Sequence, residues 1–340
     1  MLYSIHVFAR DHLQPDLAVE RGRQAFEAAR SLGDRWLECL AAGGVGMAYL
    51  SFGATEECSA WLDRAADAAM TVPSNAMAWR LEMWRGALAG VRGASQEMID
   101  HYERAADLPS QKNVAGRAEA HSALATTAVQ LGARSGDEAL LARAERAALD
   151  TLDVIRAIPG DLPWEASSHA TLAVVSETKG DHHRAADEAR AALTIDGETH
   201  VKEYFHVLWA AARTLIVPGE PEGPALAEEV MGGFMFVHMS ISDPEIKSQW
   251  FSLPTNRELA EVVGFSTPDA SQDNAGPGVE LDDEDLGLLR ELASGFAGTR
   301  KGVGNGGADD QATAELLDKI GATSVTEAME FAIKAGITWQ

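Results

Sequence analysis

A turn glycine that returns about every 40 residues restricts what this chain can fold into more than any other feature. Its clearest copy is GMAYLSFGATEECSAWLDRA (46–65), where Gly46, Tyr49 and Leu50 fall at i, i+3 and i+4, one face of a helix. Gly53 can end that helix in the left-handed conformation without a Cβ penalty. Thr55 is the expected N-cap of a second helix, with Cys58, Leu62 and Ala65 as its apolar stripe. Small side chains at Gly46, Cys58 and Ala65 let two antiparallel helices approach closely. With the turn residue as anchor, the series reads Leu13, Gly53, Gly93, Gly132, Gly180 and Gly219, in steps of 40, 40, 39, 48 and 39. Seven residues before the anchors stand His6, Gly46, Gly86, Ala125, Ala173 and Ala212; twelve after stand Ala25, Ala65, Ala105, Ala144, Ala192 and Met231. Such units bury their apolar faces only by stacking, so the expected fold is all-α, with six helix pairs between residues 1 and 232.

The pattern resembles the tetratricopeptide (TPR) repeat, best in ETKGDHHRAADEARAAL (177–193), with Gly180 and Asp181 at the turn and Ala185 and Ala192 at the small positions. The period exceeds the usual ~34, which implies longer helices. The resemblance implies a solenoid whose first helices line a concave face for a protein or peptide partner. On that geometry the inward positions fall on Arg80, Met83, Glu119, Ser122, Glu177, His206, Trp209 and Arg213, together with Met47, Thr126 and Ser167. Of these, Arg80, His206, Trp209 and Arg213 suit a peptide carboxylate or aromatic group.

Beyond the sixth pair, FMFVHMSI (234–241) fits a strand or a buried helix, and its all-helical context favours helix. PEIKSQWFSLPTNRELAEVVG (244–264) reads as one or two terminal capping helices. Ser135 and Glu138 read as a capping box, and an insertion near the second helix of the fourth pair is the expected source of the 48-residue step. Trp36, Trp61, Trp79 and Trp84 sit on helical stripes and are expected mostly in the core. The organisation expected is a repeat domain over 1–264, a flexible linker over 265–280 rich in Pro, Gly, Ser and Asp, and a small helical module over 281–340.

That last module resembles a LuxR-type helix-turn-helix. Leu281, Leu289, Leu292, Ala293 and Gly295 match its leading helix; Leu316, Leu317, Lys319, Ile320, Gly321, Ser324, Glu327, Ala328, Ala332 and Gly336 match its closing segment. Between them the scaffold helix is replaced by AGTRKGVGNGG, and the recognition positions fall on Ala308, Asp309, Asp310, Gln311 and Thr313. Carboxylates there oppose phosphate contacts, which leaves Arg300, Lys301, Gln311 and Thr313 as the DNA-binding candidates of a degenerate module. Repeats followed by such a tail resemble the C-terminal part of MalT-like LuxR-family ATPase regulators and of repeat-bearing bacterial adenylate/guanylate cyclases. Their ATPase and cyclase parts have no counterpart in this sequence, and Met1 falls near the start of a repeat, as in a segment of a larger regulator.

The charge balance, 52 acidic against 28 basic residues for a net −24, repels nucleic acid and anionic membranes over the bulk of the surface. Two cysteines, Cys39 and Cys58, make no disulfide framework and suit small core positions in a reducing cytoplasm. No secretory leader or apolar run of about 18 residues occurs, so neither membrane nor export is expected. GxxxxGK[ST], HExxH and GxSxG are absent, and GVGNGG (302–307) has neither lysine nor preceding strand. His182 and His183 lack a further ligand at metal spacing, and the run Asp282, Asp283, Glu284, Asp285 suits a helix start. The expectation is therefore a cytoplasmic, non-catalytic protein-interaction or ligand-sensing module of a bacterial regulator, with no cofactor and no metal. The alternative is a LuxR-family transcription factor with a working helix-turn-helix.

Overall fold

The computed structural model describes residues 15–265, except 73, 109–113, 157–162, 196–200 and 242. It also describes 281–289 without 283 and 284, 310–322, and residues 327, 328 and 331. Among the described residues the chain is all-helical. In order come α1 (Pro15–Leu32), α2 (Arg35–Ser51), α3 (Thr55–Ala69), α4 (Asn75–Val91), α5 (Ser95–Asp107), α6 (Val114–Ser135) and α7 (Glu138–Ile155). There follow α8 (Pro163–Thr178), α9 (His182–Thr194), α10 (Val201–Ala211, running into a π-helical turn at Ala212–Ile216), α11 (Gly223–Ser240), α12 (Pro244–Ser252) and α13 (Pro254–Val263). In the C-terminal part lies α14 (Asp310–Ile320).

The helices pair as α2/α3, α4/α5, α6/α7, α8/α9 and α10/α11, with α1 as the second helix of a preceding pair whose anchor, Leu13, lies outside the described residues. First helices of successive pairs also touch one another, α2 on α4, α4 on α6, α6 on α8 and α8 on α10. The architecture is thus repeat-like, a succession of antiparallel pairs. Within α2/α3 the close approach is at Gly46, where a Cβ would stand 3.2 Å from the carbonyl oxygen of Cys58. Cys58 and Ala65 are fully buried opposite, as the small-residue pattern predicted.

Turn glycines with positive φ fall at Gly53, Gly93, Gly180 and Gly219, but the fourth is Gly136 and not Gly132. Gly132 lies inside α6, where a Cβ would press to 3.1 Å on Leu140 and Leu141, so it is a helix-contact position that resembles a turn in sequence. The true steps are 40, 43, 44 and 39. The insertion expected near the second helix of the fourth pair thus shows largely as longer helices, 22 residues in α6 and 18 in α7. Two cap assignments change with it. Ser135 Oγ bonds back to the Leu131 carbonyl at 2.9 Å, while Asp137 caps α7 by accepting from the amides of Ala139 and Leu140. Ala54, with no side-chain bond, occupies the cap position assigned to Thr55, which is the first residue of α3. Trp61 and Trp84 are buried, whereas Trp36 remains 39% exposed at the open end of α2.

Residues 234–240 are helical, the end of α11. The two capping helices also form, and they reach further than an end cap requires. Trp250 and Leu259 share a continuous core with residues from Phe52 to Ile241. At the other end of that reach, the Gly53 turn lies against α12: a Cβ on Gly53 would meet Leu253 at 3.2 Å and the Gln249 carbonyl at 3.6 Å. Helices α12 and α13 thus run back along the turn ends of the first helices, from the last pair to the α2/α3 pair.

In the tail, Asp282 and Asp285 each accept the other's backbone amide at 2.9 Å, a reciprocal cap that bears out the reading of the acidic run as a helix start. Lys319 of α14 bonds to Asp285 and holds its carboxyl below the usual range. Leu289, Leu316, Ile320, Ala328 and Phe331 are buried. Of the linker expected over 265–280, Phe265 instead belongs to the repeat end, its ring stacked on Phe234 and Phe251 against the core. Residues 266–280, the pair Arg300 and Lys301, and the Ser324 cap lie outside the described residues.

Candidate functional site

Four of the residues named from repeat geometry converge where the last pair meets α13. Arg213, in the π-helical turn, donates from Nη2 to Glu177 Oε2 at 2.9 Å and from Nη1 to Glu258 Oε1 at 2.6 Å. The other oxygen of Glu258 accepts from Trp209 Nε1 at 2.8 Å, and the Arg213 guanidinium stands 5.4 Å from the Trp209 ring centre. A π-helical turn shifts the register of the residues around it, and here that irregular turn carries Arg213. His206 packs against Trp209 with ring centres 5.8 Å apart. Gln130 Nε2 lies 3.3 Å from its Nδ1 and Thr171 Oγ1 lies 3.2 Å from its Nε2. An amide nitrogen can only donate, so Nδ1 accepts and Nε2–H donates to the threonine.

His206 and Trp209 are almost fully buried and the Arg213 charge is held between two carboxylates, so this cluster is a clasp joining α8, α10 and α13. Beside it, burial lowers the Arg134 pKa from its usual value, opposed by the nearby Glu258 carboxylate and reinforced by Arg257. Glu258 was not visible from the repeat because it lies beyond the last anchor. The other sequence candidates sit on α4 and α6, where Arg80, Met83 and Glu119 are half-buried and Ser122 is buried, as are Thr126 and Ser167. Met83 packs against the main core. In the tail, Gln311 and Thr313 lie in the first turn of α14.

A second cluster lies at the opposite end, and sequence reasoning did not mark it. Helices α1 and α3 both rest on α2, and between them opens a cleft of about 660 Å³ lined by Arg23, Phe26, Arg30, Arg35, Trp61 and Arg64, with Glu27, Glu38 and Asp67. Its floor is the edge-to-face pair Phe26–Trp61, ring centres 5.3 Å apart. Arg35 is fully engaged: it donates to Glu38 at 2.7 Å, to Thr71 at 3.2 Å and to the Asp67 carbonyl at 3.1 Å. Arg30 meets Glu27 only at 3.8 Å, both well exposed. The Arg64 guanidinium stands 4.3 Å from the Trp61 ring centre, and that of Arg23 lies 6.0 Å from the same ring while donating to the Tyr49 hydroxyl at 2.7 Å. The signal was present in sequence: Arg23, Phe26 and Arg30 share one face of α1, and Trp61 and Arg64 one face of α3.

Among the described residues no three His, Cys, Asp or Glu side chains are grouped to hold a metal, and no helix is long and apolar enough to cross a membrane. Cys39 and Cys58 are buried free thiols, pushed up to about 11 and about 12 by burial. No protein-family model matches the chain, and no curated protein matches it.

Proposed function

We propose that this chain is a non-catalytic ligand-sensing module of a bacterial transcriptional or signalling regulator, a TPR-like solenoid that passes the occupancy of the cleft between α1 and α3 to a degenerate LuxR-type tail. One observation carries the reading: the α2/α3 pair faces the cleft through Trp61 and Arg64 and touches α12 through its Gly53 turn. Helix α13, next after α12, is held by the Arg213 clasp and leads toward the tail. A ligand that reorders α3 against α1 is therefore one packed pair away from the helices preceding the tail. Small-molecule clefts typically measure about 300–1,000 Å³, a range that includes this one.

The test is a thermal-shift and calorimetric screen of the full chain against metabolites and short peptides. It is repeated with Glu27→Trp, which fills the cleft from an exposed position. Saturable binding that the substitution abolishes supports the module. Binding that ignores it, or none at all, overturns the role given to the cleft.

A further inference from the structure

We propose that the cleft between α1 and α3 is an anion-binding site, taking a small organic ligand by a carboxylate or phosphate group held between Arg23 and Arg64. The inference rests on the sensing role of that cleft and adds the chemistry of what it senses.

The argument begins with charge. Acidic residues outnumber basic ones nearly two to one, 52 against 28, so an arginine on this surface is easily supplied with a carboxylate. Arg92, Arg104, Arg190 and Arg213 all have one within 3.1 Å. Among the described residues Arg23 and Arg64 have none so placed. Arg23 donates to the Tyr49 hydroxyl, and Arg64 stands over the Trp61 ring. Both guanidinium carbons lie within 6.0 Å of the Trp61 ring centre and both side chains line the cleft, where the carboxylates of Glu27, Glu38 and Asp67 stand without pairing to either among the described residues. An anion seated between the two guanidinium groups is attracted by both.

Stacking contributes orientation as well. At 4.3 Å from the indole centre the Arg64 guanidinium is restrained by the ring, and its planar fork of N–H donors matches a carboxylate or phosphate with two parallel hydrogen bonds. The floor beneath is nearly dry, with Phe26 and Trp61 each under a tenth exposed. Arg35 closes the lower end with all its nitrogens engaged, as a wall and not a ligand. Exposed Arg30 stands one helical turn below Phe26 on α1, close enough to receive a second anionic group. The carboxylate of Asp67, three residues beyond Arg64 on α3, marks the end of the cleft where a hydrogen-bond donor of the ligand would be accepted.

The probes are pyrophosphate and malonate, titrated into the full chain at constant ionic strength and followed by calorimetry and thermal shift. One should bind saturably, and Arg23→Ala with Arg64→Ala together should weaken it by about 10-fold or more. Arg64→Lys keeps the charge but loses the fork, and should also weaken binding; circular dichroism checks that each variant is folded. Equal stabilisation of wild type and the double variant, or no saturable binding of either probe, overturns the anion site. If Glu27→Trp abolishes binding of a neutral or cationic compound while both anions fail, the anion inference falls and the sensing role stands. If nothing binds the cleft, both fall.

Discussion

Arg64 over Trp61 and Arg213 over Trp209 are chemically the same pair, a guanidinium on an indole, at opposite ends of one stack of helices. They differ in what stands beyond the guanidinium. Around Arg213 there are two carboxylates from two other helices, and the indole N–H is bonded to one of them. Arg64 faces the cleft, and no carboxylate is bonded to it among the described residues. The first arrangement spends its charge on holding α13 to the repeats; the second leaves its charge for something from outside. Residue type alone therefore does not distinguish a structural clasp from a binding site. The number of charges already engaged does.

Breaking the clasp should show the largest effect. Arg213→Ala leaves Glu177 and Glu258 facing each other half-buried, and should cost about 2–4 kcal/mol in urea unfolding of the full chain. A loss under about 1 kcal/mol would mean that α13 is held by apolar packing alone. Next comes the ground beneath the open cleft. Ala65 is fully buried on the α3 face against α2, so Ala65→Trp should overpack it and cost about 1–3 kcal/mol. An unchanged midpoint would show that the cleft end is loosely built throughout and not only at its rim.

Acid should separate the two ends as well. His238 on α11 is pushed down from 6.5 to about 4 by burial, with a further push from Lys247. The fold prefers its neutral form, so its contribution is full above pH 6.5 and is lost as pH falls toward 4. Hydrogen exchange at pH 7 and 4.5 should show α11–α13 loosening in acid, and His238→Gln should reduce that change. Loosening confined to α1–α3 would contradict it. Arg64→Ala is expected to cost only about 0.5 kcal/mol, the value of an exposed cation–π contact, while removing anion binding. A stability loss as large as that of Arg213→Ala would make the two ends alike and the cleft a structural joint.

The smallest effect belongs to the tail. Selection of the full chain against random duplex DNA, at low and physiological salt, should return no sequence preference. Specific binding normally rests on several Lys and Arg contacts to phosphate, and Arg300 and Lys301 are the only adjacent basic pair in residues 281–340. A reproducible preference weakened by Arg300→Ala and Lys301→Ala would restore a working helix-turn-helix.

By itself the sequence determined the pairs. Turn glycines at Gly53, Gly93, Gly180 and Gly219, the small residues opposite them and the apolar stripes between are local and periodic, and each acts within one helix or on its immediate neighbour. Where it misled, at Gly132 and Ser135, two local meanings of one residue type competed: a glycine serves a tight turn or a tight helix contact, and a serine near a helix end bonds forward as a cap or back to the preceding turn. Only the tertiary structure decided what the charged side chains do. Glu177, Arg213 and Glu258 meet because α12 and α13 fold back across the turn ends, and no repeat period extends to Glu258. Arg23 and Arg64 stay open because the helices that bear them rest on α2 with a cleft between, a matter of how three helices splay and not of any spacing along one of them.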